Sequence, residues 1–277
     1  METKAKFLKE LRGKGKIIES IKLNGPFQMA TDAMLLEESI KSDEFSIVLR
    51  FYTWEGPWLS IGKNQKNLPE HWVQLFHQKK LNIVRRPSGG NAVLHSGGLT
   101  YSLIFGKPPR EKLQAYFFTS QWLINCFSDL GMPLHFGNDR QTSQSNSNCF
   151  ELASKADLID NQGIKRIGSA QYWRKGNLLQ HGEIVLDPPK ELWLEIFKSK
   201  PPKKPSNTFP RWDLENLLTL SLKKFLPNIS WEKKVLHKED LLKVKENSKH
   251  YEFSPESFIR PEETIPSTKS TSDMPKG

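Results

Sequence analysis

The stretch RRPSGGNAVLHSGGLTYSLIF, residues 85–105, interleaves two arginines, four glycines and a histidine with residues that favour β-strand. No long regular element can run through it. The SGG triplets at 88–90 and 96–98 impose tight turns between NIVRR, NAVLH and LTYSLIF, so three strand ends and two turns must meet here. Glycine has no Cβ, which permits positive φ and close approach of a ligand to the backbone. Gly89 and Gly90, directly after Arg85 and Arg86, can therefore present N–H groups to an anionic or carbonyl-bearing ligand. Two hairpin turns without a ligand would use the same letters. No GK[ST] follows, which excludes a Walker loop, and no helix pattern follows, which excludes a dinucleotide fingerprint.

Around this stretch helix and strand signals alternate. PFQMATDAMLLEES (26–39) places Phe27, Ala30, Met34 and Glu38 along one helical stripe, with Pro26 in the first turn. SIVLRFYTW (46–54) and LSIG (59–62) read as strands joined by EGP in a hairpin or sharp turn. PEHWVQLFHQKK (69–80) and residues 112–130 read as helices, and GNDRQTSQSNSN (137–148) as a polar loop. ADLID and IKRIGSAQYWR suggest a hairpin with DNQG at its tip, NLLQHGEIVL one more strand, and ELWLEIFKSK and WDLENLLTLSLKKFL closing helices. This order predicts an α+β (or α/β) domain built on a mixed β-sheet flanked by helices.

The net charge of +10 admits a nucleic-acid binder or a protein that meets acidic partners. Its placement argues against nucleic acid. Much of it lies in an N-terminal arm (Lys4, Lys6, Lys9, Arg12, Lys14, Lys16) and in KSKPPKKP at 198–205, which reads as a solvated connector. The charged N-terminus lacks the apolar block of a signal peptide, and no apolar run reaches the roughly 18 residues of a membrane span. A cytoplasmic protein without membrane or nucleic-acid partners is expected. Cys126 and Cys149 are the two cysteines, without disulfide or zinc spacing, so no metal site is expected.

RRPSGGNAVLHSGGLTYS resembles the RRxTGGxAVLHxxxLTYS segment of the lipoate-protein ligase and octanoyltransferase family, itself similar to biotin-protein ligases. FYTWEGPWLSIGKNQ, KRIGSAQYWRKG and LLQHGEIVL agree in order, and MATDAMLLE matches the family's early helix. The resemblance implies the biotin/lipoate protein ligase catalytic-domain fold over residues 1–225, with core motifs at 29–186 and the acyl group in a tunnel beside the glycine turn. Residues 226–277 are then a short polar extension, whose last twenty or so residues are expected to be disordered.

Within the family, ligases activate a free acid with ATP, whereas transferases move octanoate through a cysteine thioester. Cys149, in NCFE, matches the CFE that carries the nucleophile in the ligase-like octanoyltransferases, and Lys165 is the motif lysine expected to favour its thiolate. The resemblance further implies substrate contacts from Arg85, Arg86, Ser88, Gly89, Gly90, Asn91, Ala92, Val93, His95, Gly168, Ser169, Ala170, His181 and Gly182. His95 by itself reads as a structural histidine; His181, in QHGE, reads as an orienting one. Backbone N–H groups near Gly90 and Gly168 are the expected oxyanion donors. Asn91 replaces a third glycine and Ser96-Gly97-Gly98 replaces the HDxGN continuation of ligases, changes that weaken an adenylate site more than acyl transfer. The expectation is an octanoyl transferase without cofactor, with octanoyl-acyl-carrier protein as donor and a lipoyl-domain protein, such as the glycine-cleavage H protein, as acceptor. The alternatives are a ligase requiring ATP and Mg and an amidotransferase between lipoyl-domain proteins.

Overall fold

A computed structural model describes residue 8 and residues 10–42, 44–137, 156–205 and 210–254. The strands are β1 (Gly13–Leu23), β2 (Ser46–Trp54), β3 (Trp58–Ile61), β4 (Asn82–Arg85), β5 (Val93–His95), β6 (Gly98–Gly106), β7 (Leu134–Phe136), β8 (Leu158–Asp160), β9 (Lys165–Arg174), β10 (Asn177–Val185) and β11 (Ile229–Lys234). The helices are α1 (Gly25–Lys41), α2 (Glu70–His77), α3 (Lys112–Asp129), α4 (Lys190–Phe197), α5 (Arg211–Phe225) and α6 (Lys238–Ser248). Eight strands form one mixed sheet in the order β11-β1-β2-β6-β10-β9-β8-β7, and three form a second, β4-β3-β5. This is the mixed sheet flanked by helices that the element order predicts.

Helix α1 is the crossover between parallel neighbours β1 and β2, as a parallel connection requires. Asn24 caps it by accepting the Phe27 N–H at 3.0 Å, and Pro26 occupies the first turn where its missing donor has no cost. Its buried face is wider than the four-residue stripe. Gln28, Thr31 and Asp32 are buried together with Met29, Ala30, Leu35 and Leu36, whereas Phe27 and Glu38 are only half-buried.

Apolar side chains of α3 and α5 fill one face of the large sheet, and those of α1 and α6 pack on the other. The small sheet has its own core, with Trp72 from α2 and Trp193 and Ile196 from α4. The EGP turn exists, with Gly56 at φ +79°, but it is no hairpin: β2 belongs to the large sheet and β3 to the small one. The second glycine pair makes the return crossing from β5 to β6. At Gly97, with φ +75°, a Cβ would meet the Asp187 carbonyl oxygen at 1.9 Å, so the crossing requires glycine.

Two expectations need correction. Lys14 and Lys16 lie on strand β1, not in a solvated arm, and residues 226–254 are not an appended extension. Strand β11 pairs in parallel with β1, and α6 contributes Val244 to the core under α1. Both strands carry lysines, β11 as the edge of the sheet and β1 as its neighbour, and this masks their alternation. The hairpin over DNQG is present: Gly163 N–H donates to the Asp160 carbonyl at 2.9 Å. Cys149, the loop over 138–148 and the tail expected to be disordered lie outside the described residues. Among the described residues no helix is long and apolar enough to cross a membrane, and no His, Cys, Asp and Glu side chains cluster to hold a metal.

Candidate active site

The two sheets enclose a narrow cavity in which about 50 Å³ is open to the centre of a water molecule. Strand register dictates its floor. Tyr52 on β2 lies opposite Thr100 on β6, Thr100 opposite Glu183 on β10, and Glu183 opposite Gly168 on β9. Two residues along, Arg50, Ser102, His181 and Ala170 form the adjacent row. Alternation places both rows on the same face. The smallest residues, Gly168 and Ala170, stand at the β9 end of the two rows, and large ones, Tyr52 and Arg50, at the β2 end. Ser60, Val93 and His95 of the small sheet, Arg86 and Gly90 of the glycine turn, and Met29 of α1 complete the wall.

Beneath and beside this cavity run two buried polar arrays. In the first, Arg50 donates to Asp32 Oδ1 at 2.8 Å, with neither side chain exposed, and also reaches the Gln28 amide oxygen. Tyr52 donates its hydroxyl to Asp32 Oδ2 at 3.1 Å, and His181 Nδ1 lies 3.3 Å from the same oxygen. His181 Nε2 in turn meets Ser88 Oγ at 2.5 Å. Burial alone would raise the Asp32 pKa, but the Arg50 charge and the His181 hydrogen bond reverse this and hold it below the ordinary value. An ionised Asp32 accepts the Nδ1–H of His181, whose other ring nitrogen is held by Ser88. Burial, reinforced by the Asp32 charge, pushes the Tyr52 phenol well above its ordinary pKa.

In the second array, Glu183 Oε2 receives His95 Nδ1 at 2.8 Å and the Thr100 hydroxyl at 2.5 Å, while Ser60 Oγ lies 2.8 Å from His95 Nε2. Trp54 stacks on His95 with ring centroids 4.1 Å apart and donates to Thr100 Oγ1 at 2.8 Å. Burial holds the His95 pKa below its ordinary value, against the pull of Glu183, so the imidazole is neutral. His95 is thus a satisfied buried histidine whose ring also faces the cavity.

The glycine turn is clamped by guanidinium groups. Arg86 donates to the Ser60 carbonyl and to the carbonyls of Gly89 and Asn91, each at 2.7 Å. Gly90 has φ +91°. Arg85 instead braces the preceding loop, donating to the carbonyls of Gly62, Lys63 and Gln65.

Of the site residues expected from sequence, Arg86, Gly90, Val93, His95, Gly168, Ser169, Ala170, His181 and Gly182 converge on the cavity. Arg85, Ser88, Gly89 and Asn91 stand behind it as supports, and Ala92 is buried in the small-sheet core. Lys165 lies outside the cavity wall, buried at the start of β9 with its Nζ 2.9 Å from Asp157 Oδ2. Cys149 falls among the residues not described. Asp32, Arg50, Tyr52, Ser60, Thr100 and Glu183 escaped the sequence reading. The available signal was a charge inside an apolar run: Asp32 in MATDAMLLE, Arg50 in SIVLRFYTW, Glu183 in QHGEIVL.

Residues 24–232 match the family model of the lipoyl protein ligase A/B catalytic domain. The chain belongs to this family. Among lipoyl protein ligase A/B relatives, octanoyltransferase LipM of Carboxydothermus hydrogenoformans is 36% identical over 190 residues, covering 67% of this chain and 70% of that protein. The LipM octanoyltransferase of Halalkalibacterium halodurans is 37% identical over 160 residues, covering 54% and 58%. The matched region thus spans between 58% and 70% of the length of these two relatives. A structure of the bi-partite lipoate protein ligase of Thermoplasma acidophilum superposes with a TM-score of 0.65 over 91% of this chain and 99% of that one, at 16% identity. That likeness is one of fold and extends over nearly the whole of both chains.

Proposed function

We propose that the protein is an octanoyltransferase of protein lipoylation that uses no ATP. The observation that carries this reading is the cavity between the glycine turn and the floor of β9, β10, β6 and β2, in a chain whose relatives are named octanoyltransferases. The donor is a thioester of octanoate on acyl-carrier protein. The Cys149 thiolate attacks the thioester carbonyl carbon, and the carbon–sulfur bond to the carrier breaks. The carrier thiolate leaves and takes up the proton lost by Cys149. The amine of a lipoyl-domain lysine then attacks the acyl-Cys149 thioester, forming the amide and returning the cysteine thiolate as the amine gives up its proton. Conversion of a thioester to an amide is downhill, so neither step calls for a nucleotide.

Arg86, by fixing the carbonyls of Gly89 and Asn91, holds Gly90 at the cavity wall where the acyl carbonyl would sit. Lys165 contributes a cation near the start of β9, oriented by Asp157. Intact mass spectrometry with octanoyl-acyl-carrier protein, first alone and then with an apo lipoyl domain, tests the scheme. An octanoyl adduct mapping to Cys149 and moving to the domain lysine is the expected result. Modification only with ATP and free acid, unaffected by Cys149→Ala, would replace it with the ligase reaction.

A further inference from the structure

We infer that Tyr52, braced by Asp32 and Arg50, is the end wall that measures the length of the acyl chain. The inference rests on the proposed function for the ligand being an acyl chain, and adds the residue that limits it. The cavity floor crosses four adjacent strands, from Gly168 on β9 through Glu183 and Thr100 to Tyr52 on β2. Three interstrand steps of about 4.8 Å give a span of roughly 14 Å, the reach of an extended medium-length chain. The floor carries least side chain at the β9 end, at Gly168 and Ala170. Backbone N–H groups near Gly168 and Gly90 are the oxyanion donors of the proposed reaction, so the thioester carbonyl is assigned to the β9 end and the methyl terminus to β2.

At β2 the path stops. The Tyr52 ring is fully buried, lies 4.0 Å from the Arg50 guanidinium carbon, and is tied through its hydroxyl to Asp32 Oδ2 at 3.1 Å. Arg50 behind it is covered by α1 through Asp32 and Gln28. A longer chain would have to turn the ring aside, break its bond to a buried carboxylate and press methylenes against a buried ion pair. Each of these opposes entry. Met29, also from α1, lines the cavity beside this end, but its unbranched thioether can shift. Tyr52 cannot shift without disturbing its contacts with both Asp32 and Arg50.

The test uses the full chain and saturated fatty acids from six to fourteen carbons, with affinity read from the ligand-dependent rise in Tm. Wild-type affinity should grow about fourfold per methylene up to the end wall and then break. Tyr52→Ala should move the break to longer chains by two or more carbons. Tyr52→Phe, which keeps the ring and loses only the hydroxyl, should leave it within one carbon. Tyr52→Trp should move it to shorter chains. If Tyr52→Ala does not fold, Tyr52→Leu carries the same prediction. A break that stays at the same length in folded Ala or Leu and Trp variants overturns the inference. So does a wild-type profile without a break. Binding is measured apart from catalysis, so a chain-length break in a protein that transfers no octanoyl group would overturn the proposed function and leave the end wall standing.

Discussion

Replacing Asp32 by asparagine isolates the charge at the centre of the first polar array. The side chain keeps its shape, but Arg50, with no exposed surface and its Nη1 2.8 Å from the carboxylate, loses its counter-ion. Breaking one side of such a pair costs about 3–5 kcal/mol, because the remaining charge stays buried. For a domain of this size each kcal/mol corresponds to roughly 2–4 °C, so a Tm fall of about 6–20 °C is expected. Removing both charges in Asp32→Asn/Arg50→Met should restore much of the loss, giving a coupling energy well above about 1 kcal/mol in a urea-denaturation cycle. Acid adds an independent arm. The folded-state pKa of Asp32 lies below its ordinary 3.8, so its contribution is present above that value and lost as pH falls through the folded pKa. His95, kept neutral below its ordinary 6.5, makes stability fall as pH drops from 6.5, where the unfolded chain takes up a proton that the folded one refuses. Asp32→Asn should therefore remove the loss below pH 4 and retain the one below pH 6.5. A single-variant cost under about 1 kcal/mol, or an unchanged acid limb, would refute the account of an ionised Asp32 as the hub.

Two further outcomes follow from local geometry. Cys126 is buried on α3 with its thiol pKa pushed up to about 12, first by burial and then by Asp129, so iodoacetamide at pH 8 should leave it unmodified in native protein and alkylate it in urea; labelling of Cys126 in the folded state would contradict this. Gly62→Ala should lower Tm and impair acyl binding together, because a Cβ there would stand 1.9 Å from the Gly90 carbonyl oxygen and push the glycine turn off its Arg86 clamp; wild-type Tm and binding would show that the turn is not held as described.

How much of this was legible in the sequence depends on the kind of signal each element carries. Strands β2 and β6 are legible as β-rich segments bounded by turn residues, β9 through the DNQG hairpin tip before it, β10 through its alternation, and α1 through its periodicity and Pro26. Strands β1 and β11 are not, since each carries lysines and draws its hydrogen bonds from distant parallel neighbours that local sequence cannot specify. The assignment of β3 and β5 to a separate sheet was equally invisible: EGP and SGG look like hairpin turns whether the chain folds back or crosses over. Nine of the residues named from the motif letters line the cavity. The letters missed Asp32, Arg50 and Glu183, whose importance comes from pairing across 18 and 88 positions rather than from any local pattern.

These pairings also explain how the cavity could accept the proposed hydrocarbon chain over so many polar side chains. An unpaired hydroxyl or imidazole facing the cavity would hold water and oppose entry of methylenes. Here the polar atoms turn to one another: Thr100 and His95 toward Glu183, Ser60 toward His95, Tyr52 and His181 toward Asp32, Ser88 toward His181. Two carboxylates thus absorb four donors from the wall, and the surface left toward the cavity is largely carbon. Removing any one member leaves a buried partner unsatisfied beside the ligand, so substitutions in either array should alter acyl binding even where the side chain changed never touches the chain.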